Sequence, residues 1–176
     1  MAMNPDDMAN AVIAKYKDVT DSVNWEDGER PPPLAYVEAF DMGLTEYVEE
    51  NMSITYSWSA TLPPPASTPD PVVSFISELK IEDKTIGQPP NIAAWGPLIM
   101  ACFAKTLTKH PSAFSVTAGK LLIMPLVIAP VPGPFPGPIK SICSQIYLWL
   151  LTCNNPAALT GTHGTYSGAT TGMVIA

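Results

Sequence analysis

Five side chains carry the groups most used in nucleophilic and metal chemistry: the thiols Cys102, Cys143 and Cys153 and the imidazoles His110 and His163. A thiol nucleophile acts as the thiolate, generated by a nearby imidazole that an acid or amide holds in place. Every Asp and Glu lies at or before Asp83 and all five of these groups lie beyond it, so such a triad has no orienting acid near it in sequence. Zinc at Cys143, Cys153 and His163 lacks the short ligand spacings of a structural site and needs a distant fourth ligand. In Gly164-Thr-Tyr-Ser-Gly168 the serine is fourth, whereas a nucleophile elbow has it third and follows an apolar strand. The glycines of residues 161–172 lack the Gly-Lys-Ser/Thr ending of a phosphate loop. Paired carboxylates such as Asp6/Asp7 and Glu49/Glu50 fit helix starts and solvated faces, and His110, before Pro111, fits a helix end. The expectation is a non-enzyme with no catalytic residue, no cofactor and no metal, its three cysteines buried and reduced. A small thiol-dependent enzyme is the least favoured alternative.

The elements that would position any site are written in a strongly asymmetric charge pattern. Sixteen acids and four cations fall in residues 1–83, a net of −12, while residues 84–176 hold five lysines and no acid. The acid-free part has too little charge to coat a surface in water, so a protein neighbour is its expected cover. The overall charge of −7 argues against nucleic acid as a primary partner, because phosphate binding wants a basic face. With 47% hydrophobic residues the chain is long and apolar enough to bury a core. Twenty prolines therefore punctuate a packed chain rather than a disordered one. One domain is expected: an acidic helical front over 1–83, an acid-free apolar part over 84–159 and an extended tail over 160–176.

The fold class expected is α+β, mostly helical, with four to five helices and at least one strand. Asn4-Pro5-Asp6-Asp7 predicts a helix start, with Met8, Val12, Tyr16 and Val19 on one face of a helix over 5–19. Leu34, Val37, Leu44, Tyr47 and Val48 predict a second helix, interrupted or bent at Gly43. Strict alternation over 53–60 predicts a strand with Ile54, Tyr56, Trp58 and Ala60 on one side. Asp70-Pro71 opens a third helix carrying Val72, Phe75, Ile76 and Leu79. Residues 91–109 read as a helix with Trp95, Ile99, Cys102, Phe103 and Leu107 in a wide stripe, begun or kinked by Pro97. Residues 121–131 fit strand or helix equally. The run from Pro130 to Pro138 must be extended or turning. The helix that follows has Ile139, Ile142, Cys143, Ile146, Tyr147 and Leu150 on one face and Leu148, Trp149 and Leu151 elsewhere, a pattern that demands burial all round. The uncharged Gly/Thr tail could add a strand to a neighbouring subunit.

Residues 121–139 are nineteen uncharged positions between Lys120 and Lys140, yet six prolines among them would leave backbone groups unsatisfied in lipid. The apolar run 141–153 would reach about 20 Å against a hydrocarbon core of about 30 Å. A membrane partner is thus disfavoured, though a membrane-associated protein is the main alternative function. The acidic start, Met1 to Asp7, has no apolar export signal.

The acidic helical front, the Tyr56/Trp58 strand ended by Pro63-Pro64-Pro65, the Pro69-Asp70-Pro71-Val72 restart and the Gly161–Gly172 tract together resemble small structural proteins of tailed-phage virions. The resemblance implies a subunit of a tail, baseplate or neck that swaps arms with its neighbours. Its implied partners are copies of itself and other structural proteins of the assembly, and its implied location is the virion, assembled in the host cytoplasm. No functional residue carries over. The interface side chains expected on size and weakly charged surroundings are Tyr56, Trp58, Trp95, Phe103, Phe135, Tyr147, Trp149 and Tyr166.

Overall fold

Asn4, Pro5, Asp6 and Asp7 start a helix as their types dictate. In the computed structural model, which describes residues 3–24, 28, 31–58, 92–107, 114–118, 123–129, 131–153, 160–163 and 166–175, α1 runs Pro5–Asp21. The Asn4 side-chain oxygen accepts from the Asp6 N–H at 2.8 Å, Pro5 sits in the first turn, and both acids face the positive helix end. The other helices are α2 (Pro33–Asn51), α3 (Ile92–Leu107) and α4 (Gly137–Thr152). The strands are β1 (Ile54–Trp58), β2 (Phe114–Ala118), β3 (Thr160–His163) and β4 (Tyr166–Ile175). The class is α+β with helix outweighing strand, as expected; the helix read over 70–83 lies outside the described residues. Pro97 sits inside α3 rather than at its start, where it has no N–H to offer the carbonyl one turn back.

Gly43 does not interrupt α2, which is continuous through it. A Cβ at Gly43 would lie 2.6 Å from Val12 Cα and 2.9 Å from Val12 N, so the missing side chain lets two helix backbones touch. The pair is antiparallel. At one end the Tyr47 hydroxyl accepts from the Asn4 N–H at 2.7 Å and donates to the Asn4 carbonyl at 3.1 Å; at the other, Tyr16 and Tyr36 meet edge to face at 5.5 Å. Lys15 and Glu46 pair at 2.6 Å with both side chains partly in water, which contributes about 0–1 kcal/mol.

The second face of α1 packs on α4, so the acidic front itself covers much of the acid-free helix. Met8, Val12, Phe40, Leu44, Ile99, Phe103, Ile146 and Leu150 are among the residues of one continuous core. Phe40 stacks tilted on Trp95 at 5.0 Å, and Phe103 meets Trp149 edge on at 5.9 Å, which ties α3 to both α2 and α4. Such aromatic pairs add about 0.5–1.5 kcal/mol each beyond burial.

The strands form one antiparallel sheet in the order β1-β4-β3-β2. The tail is ordered on this chain's own sheet: β4 pairs with β1, Ile54 opposite Ile175 and Tyr56 opposite Met173, and with β3, His163 opposite Tyr166. The register shift at Ser57/Trp58 is a bulge that adds twist to this edge. Buried Met52 and Ile54 seat β1 in the helical core.

Gly43→Ala is expected to destabilise the fold by about 1–3 kcal/mol, because backbone atoms of α1 cannot yield as a side chain could. Urea unfolding checks this; an unchanged midpoint would mean that the two helices separate at no cost.

Candidate functional site

The reactive groups come first, since their surroundings decide whether they can react. Cys143 on α4 has no exposed surface, and Cys102 and Cys153 are nearly as covered. Burial pushes the Cys143 thiol up to about 12. Burial also raises Cys153, partly offset by a hydrogen bond from the backbone of Met124. Such thiols stay protonated near neutral pH and are poor nucleophiles. No cluster of three or more His, Cys, Asp or Glu able to hold a metal occurs among the described residues. His163 ends β3 opposite Phe114 of β2, and His110 lies outside the described residues.

The expected interface aromatics divide by environment. Trp95, Phe103 and Trp149 are in the chain's own core, fully used in packing. Tyr147 is partly buried against that core. Tyr56 and Trp58 sit on β1, opposite Met173 and Thr170, and Tyr166 begins β4. Phe135 is 59% exposed and lies stacked on Tyr16 at 6.0 Å. Tyr16, Lys17, Thr20, Tyr36 and Phe135 line an open cleft of about 320 Å³. Burial, with smaller contributions from Cys143 and Tyr36, holds the Tyr16 hydroxyl well above the usual phenol range, so it remains a neutral wall of that cleft.

The organising element is the segment 123–129, which has neither helical nor ladder assignment. Its backbone must therefore be satisfied by other means. The Trp149 indole N–H donates to the Met124 carbonyl at 2.6 Å. The Gln145 amide accepts from the Ala129 N–H at 2.8 Å and donates to the Ala129 carbonyl at 3.1 Å, imitating a strand partner. On the side of α3, the Leu126 carbonyl lies against Gly96, where a Cβ would collide with it. Leu126 and Ile128 point inward and are buried, while Val127 between them is 79% exposed. The alternation is that of an extended strap with one apolar face in the core and one in water.

The strap and its neighbours carry most of the exposed grease. Met124, Val127, Val131, Phe135 and Leu148 are exposed, and Met42 is the remaining large exposed hydrophobic among the described residues. Leu148 corrects the expectation that the greasy faces of α4 are all buried: it stays open to water. The sequence did not single out Met124, Val127, Val131 or Gln145. The signal available was a glutamine set among apolar residues of a helix, a donor and acceptor facing a segment with unpaired backbone.

No family model, curated protein or solved structure matches the chain. Among the described residues no helix is long and apolar enough to cross a membrane.

Gln145→Ala is expected to free the Ala129 amide. A loss of roughly 1.4 kcal/mol, the scale of one or two such bonds, speeds its hydrogen exchange about tenfold; unchanged protection would mean that the strap is held elsewhere. Stability should also fall in alkali. Below pH 9 the Cys143 thiol is protonated in folded and unfolded chains alike, and its contribution is fully present. Between its ordinary value of 9.0 and about 12 the unfolded chain loses the proton first, so stability drops by up to about 1.4 kcal/mol per pH unit. Chemical denaturation from pH 8 to 11 should show a shallower decline for Cys143→Ala.

Proposed function

We propose that this chain is a non-enzymatic structural subunit of a large protein assembly, and that the assembly is the tail, baseplate or neck of a tailed-phage particle. One observation carries the first part: five of the six large exposed hydrophobics of the described residues sit on the strap, the proline arm and the outer flank of α4. These lie in the half of the chain that has no acid. Scattered single apolar residues need no explanation, but five of the six within the stretch 124–148 support an interaction surface there. The second part rests on the likeness of the acidic front, the Tyr56/Trp58 strand, its proline ending and the Gly/Thr tract to small virion proteins. On this reading the partners are copies of the chain and other structural proteins, in a particle assembled in the host cytoplasm.

The burial of all three cysteines, which raises the Cys143 and Cys153 thiols, disfavours the thiol-enzyme alternative. Lipid is the other cover that would suit Met124, Val127 and Leu148, and the test separates it. Light scattering coupled to size exclusion, without detergent, is expected to give a mass at a multiple of 18.8 kDa or a complex of fixed stoichiometry with a co-produced protein. A monomer that floats with liposomes would overturn the reading in favour of a membrane-associated protein. A monomer indifferent to both would return the apolar strap to ordinary surface.

A further inference from the structure

Beyond the assembly reading, and independent of it, we infer that the cleft between α1, α2 and the proline arm is a binding site for a small aromatic carboxylate. Its walls come from three elements: Tyr16, Lys17 and Thr20 from α1, Tyr36 from α2 and Phe135 from the arm. Tyr16 meets Tyr36 edge to face at 5.5 Å and lies within 19° of parallel to Phe135 at 6.0 Å. The three rings thus offer both faces and edges, the two kinds of surface against which a further flat ring packs. Phe135 is the only aromatic among the exposed large hydrophobics of the described residues, and a ring seated in the cleft would cover it. The volume of about 320 Å³ stands at the lower end of the ~300–1,000 Å³ of small-molecule sites, which suits a ligand of one or two rings.

The polar groups of the walls choose the ligand's head. The Tyr47 hydroxyl both accepts and donates, whereas those of Tyr16 and Tyr36 have no hydrogen-bond partner among the described residues. No tyrosine hydroxyl among those residues is both fully covered and unpartnered. The Tyr16 hydroxyl therefore reaches open space, and the space that Tyr16 borders is the cleft. Burial keeps this phenol protonated, so it is able to donate. Lys17 is exposed and has no ion pair among the described residues, although Asp18 and Asp21 follow it on α1; Lys15, by contrast, is taken by Glu46. An ammonium only donates and protonated phenols can donate, so the head they select is an acceptor, and a carboxylate answers the charge as well. A cationic ligand would meet Lys17 as a like charge. Because Lys17 is exposed, the carboxylate stays at the mouth and keeps part of its water while the ring enters, which avoids the cost of burying a charge.

Naphthalene-2-carboxylate, its neutral carboxamide and octanoate test the site when titrated into the full chain and followed by NMR of the Tyr and Phe ring signals. The carboxylate is expected to bind once per chain with a Kd of about 1 mM or tighter, the scale for so small a ligand. The carboxamide should bind about fivefold more weakly, the share of one exposed charge pair, and octanoate, which has no ring to stack, more weakly than the carboxylate. Lys17→Met keeps the stem and removes the charge: it should bring the carboxylate to the affinity of the carboxamide and leave the carboxamide unchanged. Phe135→Ala should weaken both naphthalenes about three- to tenfold with an unchanged melting temperature. Should that variant melt early, Tyr36→Phe, which removes only a hydroxyl, should still weaken the carboxylate. Binding that all three substitutions leave unchanged, equal affinity for octanoate, or no binding of either naphthalene overturns the site. A synthetic proline-rich peptide that binds where the naphthalenes do not would overturn it as well, in favour of a peptide groove. None of these outcomes depends on whether the chain assembles, so this inference and the assembly reading fail separately.

Discussion

An apolar, proline-bearing backbone that forms neither helix nor sheet can be kept inside a protein only if other groups take its hydrogen bonds. In this chain the segment 123–129 poses that constraint, and α4 meets it. Trp149 caps the Met124 carbonyl and Gln145 closes both hydrogen-bonding groups of Ala129. Because Gly96 lets α3 come against Leu126, the strap lies low enough to bury Leu126 and Ile128. The same geometry turns Val127 and Met124 outward. The exposed apolar surface is thus a product of how the backbone is satisfied.

The charge asymmetry along the sequence does not become two separate bodies in space. α1, with four of the acids, packs on α4, and its inner residues Met8 and Val12 share a core with Ile142, Cys143 and Ile146. Among the described residues the acids occupy the outer faces of α1 and α2, with Asp41 the single buried charged residue. What the acid-free half lacks is a charged outer surface of its own. The strap, the proline arm and Leu148 are where that lack is visible.

The aromatic residues divide the roles that size alone had pooled. Trp95, Phe103 and Trp149 knit α2, α3 and α4 together, and Trp149 adds a polar contact that Phe or Leu could not make. Phe135 stands apart, half in water and resting on Tyr16. Among the described residues, then, Trp95, Phe103 and Trp149 anchor this chain's own core, and the exposed large hydrophobics other than Phe135 are aliphatic or methionine side chains.

Local signals fixed what depends on a few neighbouring residues. Asn4-Pro5-Asp6-Asp7 determined a helix start, the spacing of Ile139, Ile142, Cys143 and Ile146 a buried helix face, and the alternation after Ser53 a strand, because caps and periodicity act within one or two turns. Three matters were decided only in three dimensions. Gly43 looked like a helix break and is a crossing point, since a glycine's cost is local but its benefit lies in the helix opposite. Residues 121–131 fit strand or helix equally, and packing between α3 and α4 chose neither regular form for 123–129. The Gly/Thr tail carried strand propensity without an address: its pairing with β1, more than a hundred residues away, depends on an edge that exists only once the helices have seated Ile54 in the core.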